Sequence, residues 1–156
     1  MGNNASVAAL VNEAIWRVGG SSNTVSGNCG MFALALARWL IKAGYHPSIG
    51  VWSDAPRNST DILTRTCSIE HVCVECSGKL WDGEGEQSKN NVEAIIAQER
   101  GPEVRIHYFS GFDPHAPQLI RAITRRTAHW ISFQDFLEEI EGRSLNPSCN
   151  ACLPAI

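Results

Sequence analysis

The segment GNCGMFALALARWLIKAG, residues 27–44, constrains this chain more than any other stretch. Between Met31 and Ile41 the only charge is Arg38, and apolar side chains fall on every side of a helical wheel. A helix that is apolar all round is a packed central helix rather than a surface one. The spacing therefore predicts a core helix around which the rest of the fold is arranged. The run is shorter than the roughly 18 apolar residues a membrane span needs, and Arg38 interrupts it. Gly44 is a natural terminator. Cys29 is thereby placed at the N-terminal end of the most buried helix.

Residues 5–18 carry Val7, Leu10, Val11, Ala14, Ile15 and Val18 in i, i+3, i+4 steps, which predicts an amphipathic helix ended by Gly19-Gly20. After Gly44 the period changes. Ser48–Trp52 reads as a strand, and Ala55–Thr66 as a polar loop. Ile69–Cys76 alternates and is rich in β-branched residues, so it too reads as a strand. Ser77-Gly78 reads as a turn and Lys79–Trp81 as a return strand, which Asp82-Gly83-Glu84-Gly85 closes. A short helix is expected over Val92–Ala97, a strand over Val104–Phe109 and a helix over Pro117–Ala128. Ser132–Asp135 resembles a capping box, with Ile131 and Phe136 as its hydrophobic staple. The tail from about residue 144 looks irregular. Helices first and antiparallel strands after them indicate an α+β fold, expected as one domain over 1–156.

Composition removes several functional classes. With 13 basic and 16 acidic side chains the net charge is −3, and phosphate binding calls for a cationic face, so no nucleic-acid partner is expected. No membrane span and no secretory signal are expected either. The opening Met-Gly-x-x-x-Ser, with Gly2 and Ser6, fits a loose lipidation pattern, but an ordinary chain start is the preferred reading. The six cysteines, at 29, 67, 73, 76, 149 and 152, read as reduced thiols. A chain of this length has a core and needs no disulfide framework. A cytoplasmic setting, or delivery into a host cell, follows as the expectation.

The chemistry centres on Cys29. A cysteine acts as a nucleophile in its thiolate form, which a helix N-terminus and a neighbouring imidazolium both favour. Cys29 has the first by position, and Gly30 beside it would let a substrate backbone approach. Five histidines offer the second: His46, His71, His107, His115 and His129. His71 stands out in EHVCVECSGKLWD, because a hairpin brings Asp82 back alongside it. The carboxylate can hold one ring nitrogen while the other faces the sulfur. Asp54, Asp61 and Glu75 are alternative partners.

At these residues the chain resembles the papain-like superfamily of cysteine hydrolases, in its branch with the order Cys, His on a strand, Asp on the next strand. That branch holds transglutaminase-like proteins, arylamine acetyltransferases, cysteine-protease effectors and glutamine-deamidating toxins. The resemblance spans roughly residues 20–85 and rests on Asn28-Cys29-Gly30 before an apolar helix, then His71-x-x-Val74, Ser77-Gly78 and Trp81-Asp82. It implies a helix packed on a small antiparallel sheet, with the triad in the cleft between them. Cys29 would attack a carbonyl carbon, His71 would protonate the leaving amine, and Asp82 would orient His71. The backbone N–H of Cys29 and one side-chain amide would hold the oxyanion. The Gln that often precedes the family's Cys is missing here, which leaves Asn23 and Asn28 as candidates.

The resulting expectation is a thiol hydrolase acting on an amide in a protein or peptide, as a peptidase or a glutamine deamidase, without a cofactor. A transferase would use the same triad. The reading from another class is a non-catalytic binding protein, in which the triad is ornamental or a zinc site holds the tail to the sheet. That site would use the CxxC pairs Cys73/Cys76 and Cys149/Cys152, but a zinc knuckle needs a tight turn and VCVEC offers none, so no metal is expected. His107 is expected to be a satisfied strand residue, His115 a loop side chain, and His129 a packed residue. Arg121, Arg125 and Arg126 read as a solvated face. The five tryptophans read as mostly core, with Trp52 or Trp81 available to line the cleft.

Overall fold

The computed structural model describes residues 5–24, 28–55, 62, 67–111, 113, 117–124 and 133–142. Gly2, Asp61, His115, Arg125, Arg126, His129, Ile131, Ser132, Cys149 and Cys152 lie outside the described residues, and with them the expected capping box and tail.

Helix α1, Val7–Arg17, starts at Ser6, whose hydroxyl accepts the Ala9 N–H at 3.1 Å, and buries Val7, Val11 and Ala14. Its outer side carries Trp16, which is 76% exposed. The expectation that the tryptophans are mostly core fails at this position, because residue 16 falls off the buried stripe. Helix α2, Cys29–Lys42, is buried along Met31–Ala37 and again at Leu40. It ends at Ala43, with Gly44 in the left-handed region at φ 93°.

Among the described residues, five antiparallel strands form one sheet in the order β4-β3-β2-β1-β5. They are β1 Ser48–Ser53, β2 Ile69–Cys76, β3 Lys79–Asp82, β4 Gly85–Gln87 and β5 Arg105–Phe109. Ser77 and Gly78 both have positive φ, 55° and 77°, as a two-residue hairpin turn between β2 and β3 requires. Helix α3, Lys89–Arg100, follows β4. Helices α4, Pro117–Thr124, and α5, Phe133–Glu141, follow β5.

Strand alternation splits the sheet between two apolar layers. Ile49, Val51, Val72, Val74, Cys76 and Trp81 join the core shared with α1, α2, α4 and α5. Trp52, Cys73 and Leu80 face the other way and pack with Ile96 of α3. Cys73 and Cys76 therefore belong to different cores, and these two thiols cannot grip one ion together. Among the described residues no group of His, Cys, Asp or Glu could hold a metal, and no helix is long and apolar enough to cross a membrane.

The α+β architecture with a buried central helix on a small antiparallel sheet is as expected. Two elements differ. The sequence closes the preceding strand with Asp82–Gly85 and announces no strand over Gly85–Gln87, since Gly-Glu-Gly-Glu has little strand propensity; backbone pairing of Asp82 with Gly85 and of Leu80 with Gln87 makes β4 a strand. Helix α3 is longer than Val92–Ala97. Its apolar face is narrow, and its limits are set by the Ser88 cap on the Asn91 N–H and by Gly101 at φ 101°. The expected Pro117–Ala128 helix is described as far as Thr124.

Candidate active site

His71 lies on β2 and Asp82 ends β3, the next strand. The register that pairs Val74 with Trp81 carries Asp82 one step further toward His71. Trp52 of β1 is directly opposite His71. Three side chains from adjacent strands thus share one face of the sheet in the order Asp82, His71, Trp52.

The His71 Nε2 and Asp82 Oδ2 atoms are 2.9 Å apart. The other carboxylate oxygen, Oδ1, accepts the Glu84 backbone N–H at 2.9 Å and the Gln87 Nε2 amide at 3.2 Å. Asp82 is buried, and a buried carboxylate is tolerable when its oxygens are occupied in this way. On the other side of the imidazole, the Trp52 ring lies 5.5 Å away between centroids, tilted by 40°. Trp52 is fully buried, so it packs beneath the histidine and lines no cleft. Trp81 is buried too and donates its indole N–H to the Cys76 carbonyl at 3.0 Å.

Cys29 sits at the first position of α2, partly buried. It acts on His71 directly. Burial works against the imidazolium, but hydrogen bonds and electrostatic interactions with Asp82 and Cys29 overcome it and raise the His71 pKa from 6.5 to about 9. With Nε2 held by Asp82, Nδ1 is the nitrogen left for the sulfur.

Two close approaches adjoin the site, one beside Asp82 and one beside Cys29. A Cβ on Gly83, in the β3–β4 turn, would collide with the side chain of Thr24. Thr24 is buried and donates its hydroxyl to the Ser21 carbonyl at 2.7 Å. A Cβ on Gly30 would collide with Ile123 Cγ2 of α4. Gly30 is itself buried, so its small size serves helix packing. The expectation that it clears space for a substrate backbone is corrected accordingly.

Of the oxyanion candidates, Asn28 is the N-cap residue of α2, buried, and its carbonyl accepts the Phe32 N–H at 2.9 Å. Asn23 ends the 3-10 turn Ser21–Asn23, and its side chain lies outside what the structure describes. Of the alternative acids, Asp54 and Glu75 are engaged or placed elsewhere. Asp54 Oδ1 accepts the Ser68 N–H at 2.6 Å. Glu75 pairs in register with Ser48. His46 is exposed, and His107 is buried on β5.

Sequence reading missed Gln87. Its signal was present but hidden behind the unrecognised strand. Once Asp82 is paired with Gly85, period-two alternation puts Gln87 on the same face as Asp82, diagonally across from it. Compared with family models, curated proteins and solved structures, the chain matches none of them.

Proposed function

We propose that this protein is a cysteine-dependent hydrolase of papain-like type that cleaves an amide in a protein or peptide substrate. One observation carries the reading: His71 is fixed by Asp82 through one ring nitrogen while interacting with the helix-terminal Cys29. A nucleophile, a base and a group that orients the base, each from a different element, form the constellation that covalent acyl chemistry needs.

In the proposed reaction the Cys29 proton resides on His71, and the sulfur attacks the amide carbon. Negative charge moves to the carbonyl oxygen. The Cys29 N–H belongs to the first turn of α2, where amides have no intrahelical partner, so it supports that oxyanion with an amide from Asn28 or Asn23. His71 gives its proton to the departing nitrogen, the C–N bond breaks and a thioester remains. Water then adds to the thioester as His71 takes one of its protons. Collapse releases the acid and restores the thiolate–imidazolium pair. Release of an amine corresponds to peptide cleavage, and release of ammonia to deamidation.

Mass spectrometry of a mixed peptide library tests the reading. Incubation with the wild-type chain, but not with Cys29→Ala, is expected to yield cleaved fragments or glutamine peptides heavier by about one dalton. Identical spectra for the two proteins would refute it.

A further inference from the structure

Strand β4 has only three residues, yet it returns Gln87 to the one oxygen of Asp82 that does not face His71. Gly85 lies directly opposite Asp82 and carries no side chain. The diagonal from Gln87 to the carboxylate is therefore open, and a glutamine is long enough to span it. The Glu84 N–H reaches the same oxygen from within the turn. A carboxylate held through one oxygen alone can swing about its terminal torsion, which is broad for Asp. With Oδ1 held by two donors from separate directions, Oδ2 has a single heading, toward His71 Nε2 at 2.9 Å.

We propose that Gln87 is a positioning residue of the site, a fourth member that acts through Asp82 and fixes the direction of its bond to His71. This rests on the catalytic reading above. Gln87 bonds the Asp82 oxygen turned away from His71, so its removal is expected to affect chemistry through the carboxylate. The Asp82 hydrogen bond is a principal support of the His71 imidazolium. Loosening that bond therefore lowers the pH at which the ring loses its proton.

The test is a histidine-ring NMR titration of the full chain, with the His71 signal assigned by its loss in His71→Gln. The wild-type signal is expected to titrate near 9. In Gln87→Met, which keeps the length and removes the donor, the midpoint is expected to fall by about half a pH unit or more. Should Gln87→Met not fold, Gln87→Asn, one methylene too short for the span, takes its place. A wild-type midpoint near 9 that either folded variant leaves unmoved overturns the role of Gln87 and spares the triad. A wild-type ring that titrates near its ordinary 6.5 overturns the catalytic reading, and Gln87 with it.

Discussion

Trp52 and His71 face each other across β1 and β2 with their rings 5.5 Å apart. The indole is fully buried, the imidazole partly so. The tryptophan thus joins the second core, formed with Cys73, Leu80 and Ile96, to the candidate catalytic histidine. Truncation in Trp52→Ala leaves a cavity beneath the ring and is expected to cost about 3–5 kcal/mol, while Trp52→Phe is expected to cost less. Urea unfolding followed by circular dichroism measures both.

Gly30 and Ile123 give a second prediction. Gly30→Ala drives a methyl group into a buried isoleucine and is expected to destabilise by about 1–3 kcal/mol. In the background of Ile123→Ala, which removes the colliding atom, the same substitution is expected to cost much less. A double-mutant cycle by chemical denaturation reads this coupling directly. Because Gly30 adjoins Cys29, the single variant is also expected to slow the thiol's alkylation.

A third prediction concerns pH. The folded-state pKa of His71 is raised from 6.5 to about 9. A raised value means that the folded state holds the proton more tightly than the unfolded one. The stabilisation is fully present below about pH 6.5 and is lost as pH rises through about 9. Wild-type stability is expected to fall across that window more steeply than that of His71→Gln. If hydrolysis is detected, its alkaline limb is expected to follow the same ring, and Asp82→Asn to move that limb to lower pH, since the carboxylate helps hold the proton. Stability curves that stay parallel for wild type and His71→Gln would contradict this.

Much of this arrangement is legible in the chain because strong local signals agree with the tertiary result. The apolar run through Met31–Ile41 is α2, and Gly19 and Gly44 stop helices where expected. The alternation of Ile69–Cys76 with Ser77-Gly78 defines the hairpin that brings Asp82 to His71. What escaped reading depends on contacts between segments distant in sequence. Glycines 30 and 83 are explained by Ile123 and Thr24, and no local pattern announces either neighbour. The role of Gln87 depends on β4, whose residues favour a turn and which pairing with β3 draws into the sheet. The exposure of Trp16 was within reach of the periodicity, since its neighbours Val11 and Ala14 already define the buried side of α1.

The most direct measurement is the rate of iodoacetamide alkylation at Cys29, read by peptide mass spectrometry at pH 6.5. Cys67, Cys73 and Cys76 are buried, so comparison among the chain's own thiols reports exposure as well as reactivity; free N-acetylcysteine and His71→Ala are the proper references. The account predicts that Cys29 reacts at least about tenfold faster than the free thiol, and that His71→Ala and Asp82→Asn both remove most of the excess. A Cys29 that reacts no faster than N-acetylcysteine, at a rate indifferent to His71, would contradict it.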